Sequence, residues 1–117
     1  MIGGFSRRWI VTHGLLALLV TATVCAAPDA LPGKTIAFDR NKGNCLSCHV
    51  IAEGKLPGDI GPPLANLQQR YPDKARLRAL IYDATVNNPN SMMPPYGRHR
   101  ILSDAEIDQI VDYLYSL

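Results

Sequence analysis

Residues 45–49 read Cys45-Leu46-Ser47-Cys48-His49, two thiols three positions apart with a histidine directly after the second. That arrangement is an attachment site for c-type haem. Each thiol adds across one of the porphyrin's two vinyl groups, and a single helical turn sets the sulfurs the right distance apart. His49 then lies under the ring, where its imidazole reaches the iron as proximal ligand. Two other chemistries use a Cys-x-x-Cys pair. A zinc site needs two further ligands, and no cysteine follows Cys48. A thioredoxin-like redox pair belongs in a strand-helix context, which these flanks lack. The motif points to one covalent haem c.

The chain has 117 residues, enough for one domain at most. Its beginning reads as a leader. Arg7 and Arg8 precede an uncharged, mostly apolar run from Trp9 to Val24, and Cys25-Ala26-Ala27 follows with small residues. This is the charged, apolar, small-residue order of a secretory signal peptide, with the expected cut between Ala26 and Ala27. Residues 1–26 are then the signal peptide and residues 27–117 the monohaem domain. An uncleaved anchor needs about 20 apolar residues, whereas this run is shorter and is interrupted by His13 and Gly14. Acylation of Cys25 is disfavoured because Ala22-Thr23-Val24 lacks the leucine and the small residue expected just before a lipidated cysteine. Export agrees with the haem, since bacterial c-type haem is attached outside the cytoplasmic membrane. The expected compartment is the periplasm, with no stable membrane insertion after cleavage.

Without the leader, ten basic residues face ten acidic ones, so the domain is near neutral. Nucleic-acid binders show a basic excess on one face, so no nucleic-acid partner is expected. A domain of about 90 residues buries little apolar surface and often needs a metal or another staple. A covalent haem at the centre of the core supplies one.

The chain from Ala27 to Lys34, with Pro28, Pro32 and Gly33, reads as a loose arm. Thr35 is placed to cap a short helix carrying Ile36 and Phe38, which Gly43 would weaken at its end. Val50 to Arg70 is rich in glycine and proline. Within it, the Pro62 carbonyl in Gly61-Pro62-Pro63-Leu64 can accept a hydrogen bond from the second nitrogen of a ligand histidine. An ordinary proline-rich turn is the equal alternative. Pro72-Asp73 opens a middle helix whose Leu77, Leu80, Ile81 and Ala84 form one apolar stripe, ended by Asn87-Asn88-Pro89. Lys74, Arg76 and Arg78 read as its solvated face. Ser103 and Glu106 stand at capping-box spacing before a last helix with the stripe Ile107, Ile110, Val111 and Leu114. Asp104, Asp108 and Asp112 line its wet side. The expected fold is all-α: three to four helices around one haem, the last closing over the first.

Met92, Met93 and His99 are the candidates for a second iron ligand. A methionine sulfur opposite histidine raises the potential and suits electron transfer. Met93 directly precedes Pro94-Pro95-Tyr96, and prolines stiffen that loop by fixing φ. Met93 is therefore favoured, with Met92 as packing and His99 as a surface histidine. Arg98 and Arg100 read either as partners of the haem propionates or as solvated loop charges. Tyr96 is expected to pack on the porphyrin face or edge.

Beyond the haem motif, three segments carry a more specific likeness: Gly58-Asp59-Ile60-Gly61-Pro62-Pro63-Leu64, Met93-Pro94-Pro95-Tyr96-Gly97-Arg98, and Ile101 to Ile107 with Val111-Asp112-Tyr113-Leu114. From Lys42 onward the chain resembles the SoxX family, the small monohaem subunit of the SoxAX cytochrome complex of bacterial thiosulfate oxidation. The resemblance implies a cytochrome c-like domain with haem held by Cys45 and Cys48. It implies His49 and Met93 as axial metal ligands and Pro62 as the supporting carbonyl. Family members often place phenylalanine where Tyr96 stands, so the hydroxyl here is a departure. The implied partners are a SoxA-like subunit in a heterodimer, a downstream electron-accepting cytochrome and, transiently, the SoxYZ carrier. On this expectation the chain relays electrons and is not catalytic alone, although its complex is an L-cysteine S-thiosulfotransferase. Pro94, Pro95, Tyr96 and the loop after His49 are the expected interface. Two rivals remain: a free-standing periplasmic carrier serving a terminal oxidase, and a haem enzyme with an open sixth site.

Overall fold

The computed structural model describes residues 31–117, so the expected signal segment, its cut and Cys25 lie outside the described residues. Four α-helices follow in order: α1 (Pro32–Phe38), α2 (Leu67–Arg70), α3 (Lys74–Tyr82) and α4 (Asp104–Leu114). Cys45–Ser47 and Ala84–Val86 each make a single 3-10 turn. Among the described residues there is no strand, only an isolated parallel bridge between Ile51 and Leu64. The all-α expectation of three to four helices holds. No helix among them is long and apolar enough to cross a membrane.

The capping box organises α4. Ser103 Oγ accepts the Glu106 N–H at 3.3 Å, and the Glu106 carboxylate accepts the Ser103 N–H at 2.9 Å. Lys42 pairs with the same carboxylate and, with the Ser103 N–H, holds it well below the ordinary range, at about 2. Behind this cap Ile107, Ile110, Val111 and Leu114 are all buried, each contributing about 1.5–3 kcal/mol of apolar burial.

The last helix does close over the first. Ile36 and Ala37 of α1 join the stripe of α4 in one core, and Phe38 meets Tyr113 edge-on at 6.1 Å between centroids. The arm expected up to Lys34 is corrected, because α1 begins at Pro32. Proline at the first helical position has no N–H to leave unpaired. Gly33 lies so close to α4 that a Cβ there would stand 1.9 Å from the Gln109 carbonyl oxygen. Thr35 is no cap either; it sits inside α1 and its carbonyl accepts the Asp39 N–H at 3.0 Å.

The middle helix needs two corrections. Asp73 is its N-cap as expected, accepting the Ala75 N–H at 2.9 Å, but Pro72 stands just before the helix and not in its first turn. It stops at Tyr82, where Asp83 leaves helical geometry and starts the 3-10 turn ahead of Asn87. Its basic face is also not simply solvated. Lys74 pairs with Asp112, and Arg78 reaches Asp108 and Asp104 at 2.6 Å each. These are exposed pairs, worth at most about 1 kcal/mol each, and their value is in aligning α3 along α4. The short α2 was unforeseen; it buries Leu67.

Gly33→Ala is expected to destabilise the fold by about 1–3 kcal/mol, because the added methyl meets backbone that cannot rotate away. Urea unfolding followed by far-UV circular dichroism checks it, and an unchanged midpoint contradicts the close contact.

Candidate functional site

Residues 45–49 form one tight turn. Cys48 and His49 both donate their N–H groups to the Cys45 carbonyl, at 3.2 and 2.9 Å. The turn is entered from Asn44 in the left-handed region, with φ of 46°. Neither cysteine is in a disulfide. Burial pushes the Cys45 thiol up to about 11, the opposite of the lowered value a thioredoxin-like nucleophile requires. Among the described residues no three His, Cys, Asp or Glu side chains gather as a metal site.

The loop after His49 folds back onto this turn. The Gly58 N–H donates to the Leu46 carbonyl and the Gly61 N–H to the Cys48 carbonyl, both at 2.7 Å. The Leu64 N–H returns to the Val50 carbonyl at 2.8 Å. These bonds bring Pro62 to the half-buried His49 ring, where Nδ1 lies 2.7 Å from the Pro62 carbonyl oxygen. A carbonyl only accepts, so Nδ1 carries the proton and Nε2 keeps the lone pair. The geometry is that of a histidine prepared to donate Nε2 to a metal. Gly61 completes the cradle: a Cβ there would be 2.3 Å from His49 Cε1 and 2.5 Å from Nδ1. The sequence held the signal for this glycine, directly before the carbonyl that orients the ring.

Met93 is half-buried and packs on the core cluster that also receives Cys45, Leu46 and Leu64. Its N–H donates to Ser91 Oγ at 3.2 Å. Met92, expected as packing, is instead 77% exposed. His99 is exposed, its Nε2 3.5 Å from the Arg98 guanidinium. Arg98 is not a free loop charge. It pairs at 3.0 Å with Asp83, the buried carboxylate that also caps the Ala84–Val86 turn. Arg100 is exposed, with φ of 56°. Tyr96 is only 8% exposed and its hydroxyl donates to the Gly43 carbonyl at 2.5 Å. That removes Tyr96 from any docking surface. Neither Gly43 nor Asp83 was singled out as a partner, since both contacts join segments distant in sequence.

A family model described as "Cytochrome c" matches residues 30–117. A protein of Aquifex aeolicus (strain VF5), described as an "Uncharacterized lipoprotein", is 35% identical over 75 residues, 63% of this chain and 36% of that protein. The chain therefore spans about a third of the length of that curated relative. The matching family implies covalent haem c, and the residues fit it: two unbridged cysteines within one turn and a histidine whose Nε2 is left basic. Cys45 and Cys48 are in place to carry it.

Gly61→Ala is expected to force the His49 ring off its bond to Pro62. Electron paramagnetic resonance of the oxidised protein should then show high-spin iron mixed into the low-spin signal. A pure low-spin signal unchanged from wild type contradicts the cradle.

Proposed function

Because the chain belongs to the cytochrome c family, we propose that its iron is gripped by His49 Nε2 and Met93 Sδ and that it is the SoxX-like electron-relay subunit of an exported SoxAX-type complex. Electron transfer by a c-type cytochrome is the family's function. When bound, the haem supplies a one-electron iron(III)/iron(II) couple. The remaining work falls to the chain. Cys45 and Cys48 hold the group as thioethers, and Pro62 fixes the tautomer and rotation of His49. The proline-braced loop presents Met93. The observation that carries the reading is the 2.7 Å contact from Nδ1 to the Pro62 oxygen, which uses the Nδ1 proton and leaves the Nε2 lone pair for a metal.

With both ligands in place no coordination position remains for a substrate, and Cys45 and Cys48 are taken up by the haem. Bond-making then belongs to the partner. In a SoxAX-type reaction thiosulfate joins a carrier cysteine through a new sulfur–sulfur bond, the thiol gives up its proton, and two electrons leave. This chain takes those electrons singly and hands each to a downstream cytochrome. The motif series from Lys42 to Leu114 supports the assignment to that complex. The likeness to a protein described as a lipoprotein, together with the leader-like residues 1–26, supports export. Periplasmic residence is part of the same proposal.

Met93→Ala is expected to abolish the weak far-red sulfur-to-iron(III) charge-transfer band and to lower the reduction potential. Met92→Ala should leave both unchanged, since that side chain is exposed. A band that survives loss of Met93 contradicts the ligand assignment. For the partner, a larger haem protein should co-purify from cells grown on thiosulfate. A strictly monomeric protein whose loss leaves thiosulfate oxidation intact would instead identify a free-standing carrier.

A further inference from the structure

The loop from Met93 to Leu102 is held at two separate places. On one side it is tied to the end of α3: the Gly97 N–H donates to the Tyr82 carbonyl at 3.0 Å, and Arg98 pairs with buried Asp83. On the other side a single side chain crosses the molecule. Tyr96, three residues after Met93, sends its hydroxyl to the carbonyl of Gly43, two residues before Cys45. Among the described residues this is the one hydrogen bond that joins the 88–102 segment to the 36–50 segment.

Both ends of that bond are themselves fixed. The Tyr96 carbonyl accepts the N–H groups of Ile101 and Leu102 at 2.9 and 3.1 Å, and the Tyr96 N–H donates to Pro94 at 2.9 Å. The Gly43 N–H donates to the Ile36 carbonyl at 3.1 Å, which anchors it to α1. Gly43 is buried, so its carbonyl has no water to fall back on when the tyrosine leaves. Burial pushes the Tyr96 hydroxyl above the ordinary tyrosine value, so it remains a donor throughout the neutral range.

We propose that Tyr96 is a positioning residue for the sixth ligand, its hydroxyl latching the Met93 loop to the haem-attachment segment and so restraining Met93 from leaving the iron. The inference rests on Met93 being that ligand. Opening of the loop far enough to free the sulfur breaks the Tyr96–Gly43 bond, whereas closing it restores the bond. Phenylalanine at this position fills the same space without the latch. The hydroxyl adds no electron chemistry of its own; it sets how often the iron is uncovered.

The test uses the oxidised holoprotein and added imidazole, which binds iron only after the methionine has left. Tyr96→Phe is expected to speed imidazole binding by roughly three- to tenfold, the range that loss of one hydrogen bond allows. Tyr115→Phe is the control. It removes a comparable bond, from the Tyr115 hydroxyl to the Tyr71 carbonyl, far from Met93 in sequence. That variant should lower the urea midpoint without changing the imidazole rate. A Tyr96→Phe protein that retains the wild-type charge-transfer band and the wild-type imidazole rate overturns the latch alone, even when its urea midpoint falls. A wild-type protein that lacks the band and takes imidazole without delay overturns the latch and the Met93 assignment together.

Discussion

The hydrogen bond from His49 Nδ1 to the Pro62 carbonyl decides which ring nitrogen is basic, and the geometry of the site follows from it. For the carbonyl to reach the ring, the loop after His49 must double back on the attachment turn. Two short backbone bonds, to Leu46 and to Cys48, hold it there. For the ring to approach that loop so closely, the residue before Pro62 must lack a side chain, and Gly61 does. Proline suits the acceptor position because it lends a carbonyl without an N–H that would need a partner of its own. The chain thus spends a loop of low helical content on orienting one imidazole.

The helical frame holds this loop in place. A domain of this size buries few large side chains, and here they are concentrated where α1 and α4 meet, with Ala37 and Ile107 fully enclosed. Gly33 lets the two backbones touch, and Phe38 and Tyr113 close the seam further along. From α1 the chain runs through Gly43 directly into Cys45. From α3 it runs through Asp83 and the Arg98 pair into the Met93 loop. The two sides of the site therefore hang from different helices, and α4 packs against both. A covalent haem carried by Cys45 and Cys48 would add core that so short a chain's side chains supply only in part.

Local patterns were legible and distant contacts were not. The capping box at Ser103 and the stripe through Leu114 lie within one helix, so the chain order displays them completely. The Pro62 contact was visible as a possibility because a carbonyl in a glycine-proline turn has few other uses near a histidine. Pro32 and Gly33 misled, since breakers in a loop and a proline start with a glycine contact share the same two letters. Only the proximity of Gln109 separates the cases. Lys74 and Arg78, four apart, and Asp104, Asp108 and Asp112 at the same interval carried a complementary signal that a single-helix reading missed. The partners of Tyr96 and Arg98 had no such signal. Gly43 lies 53 residues from Tyr96, and nothing in either local pattern names the other.

The account stands or falls on a thioether bound to iron on the face opposite His49. Proton NMR of the reduced protein, with the methionine methyls isotopically labelled, tests it directly. A three-proton resonance shifted far upfield by the porphyrin ring current and assigned to Met93 is the expected result. A spectrum with no methionine methyl in that region, or one whose shifted methyl belongs to Met92, contradicts it.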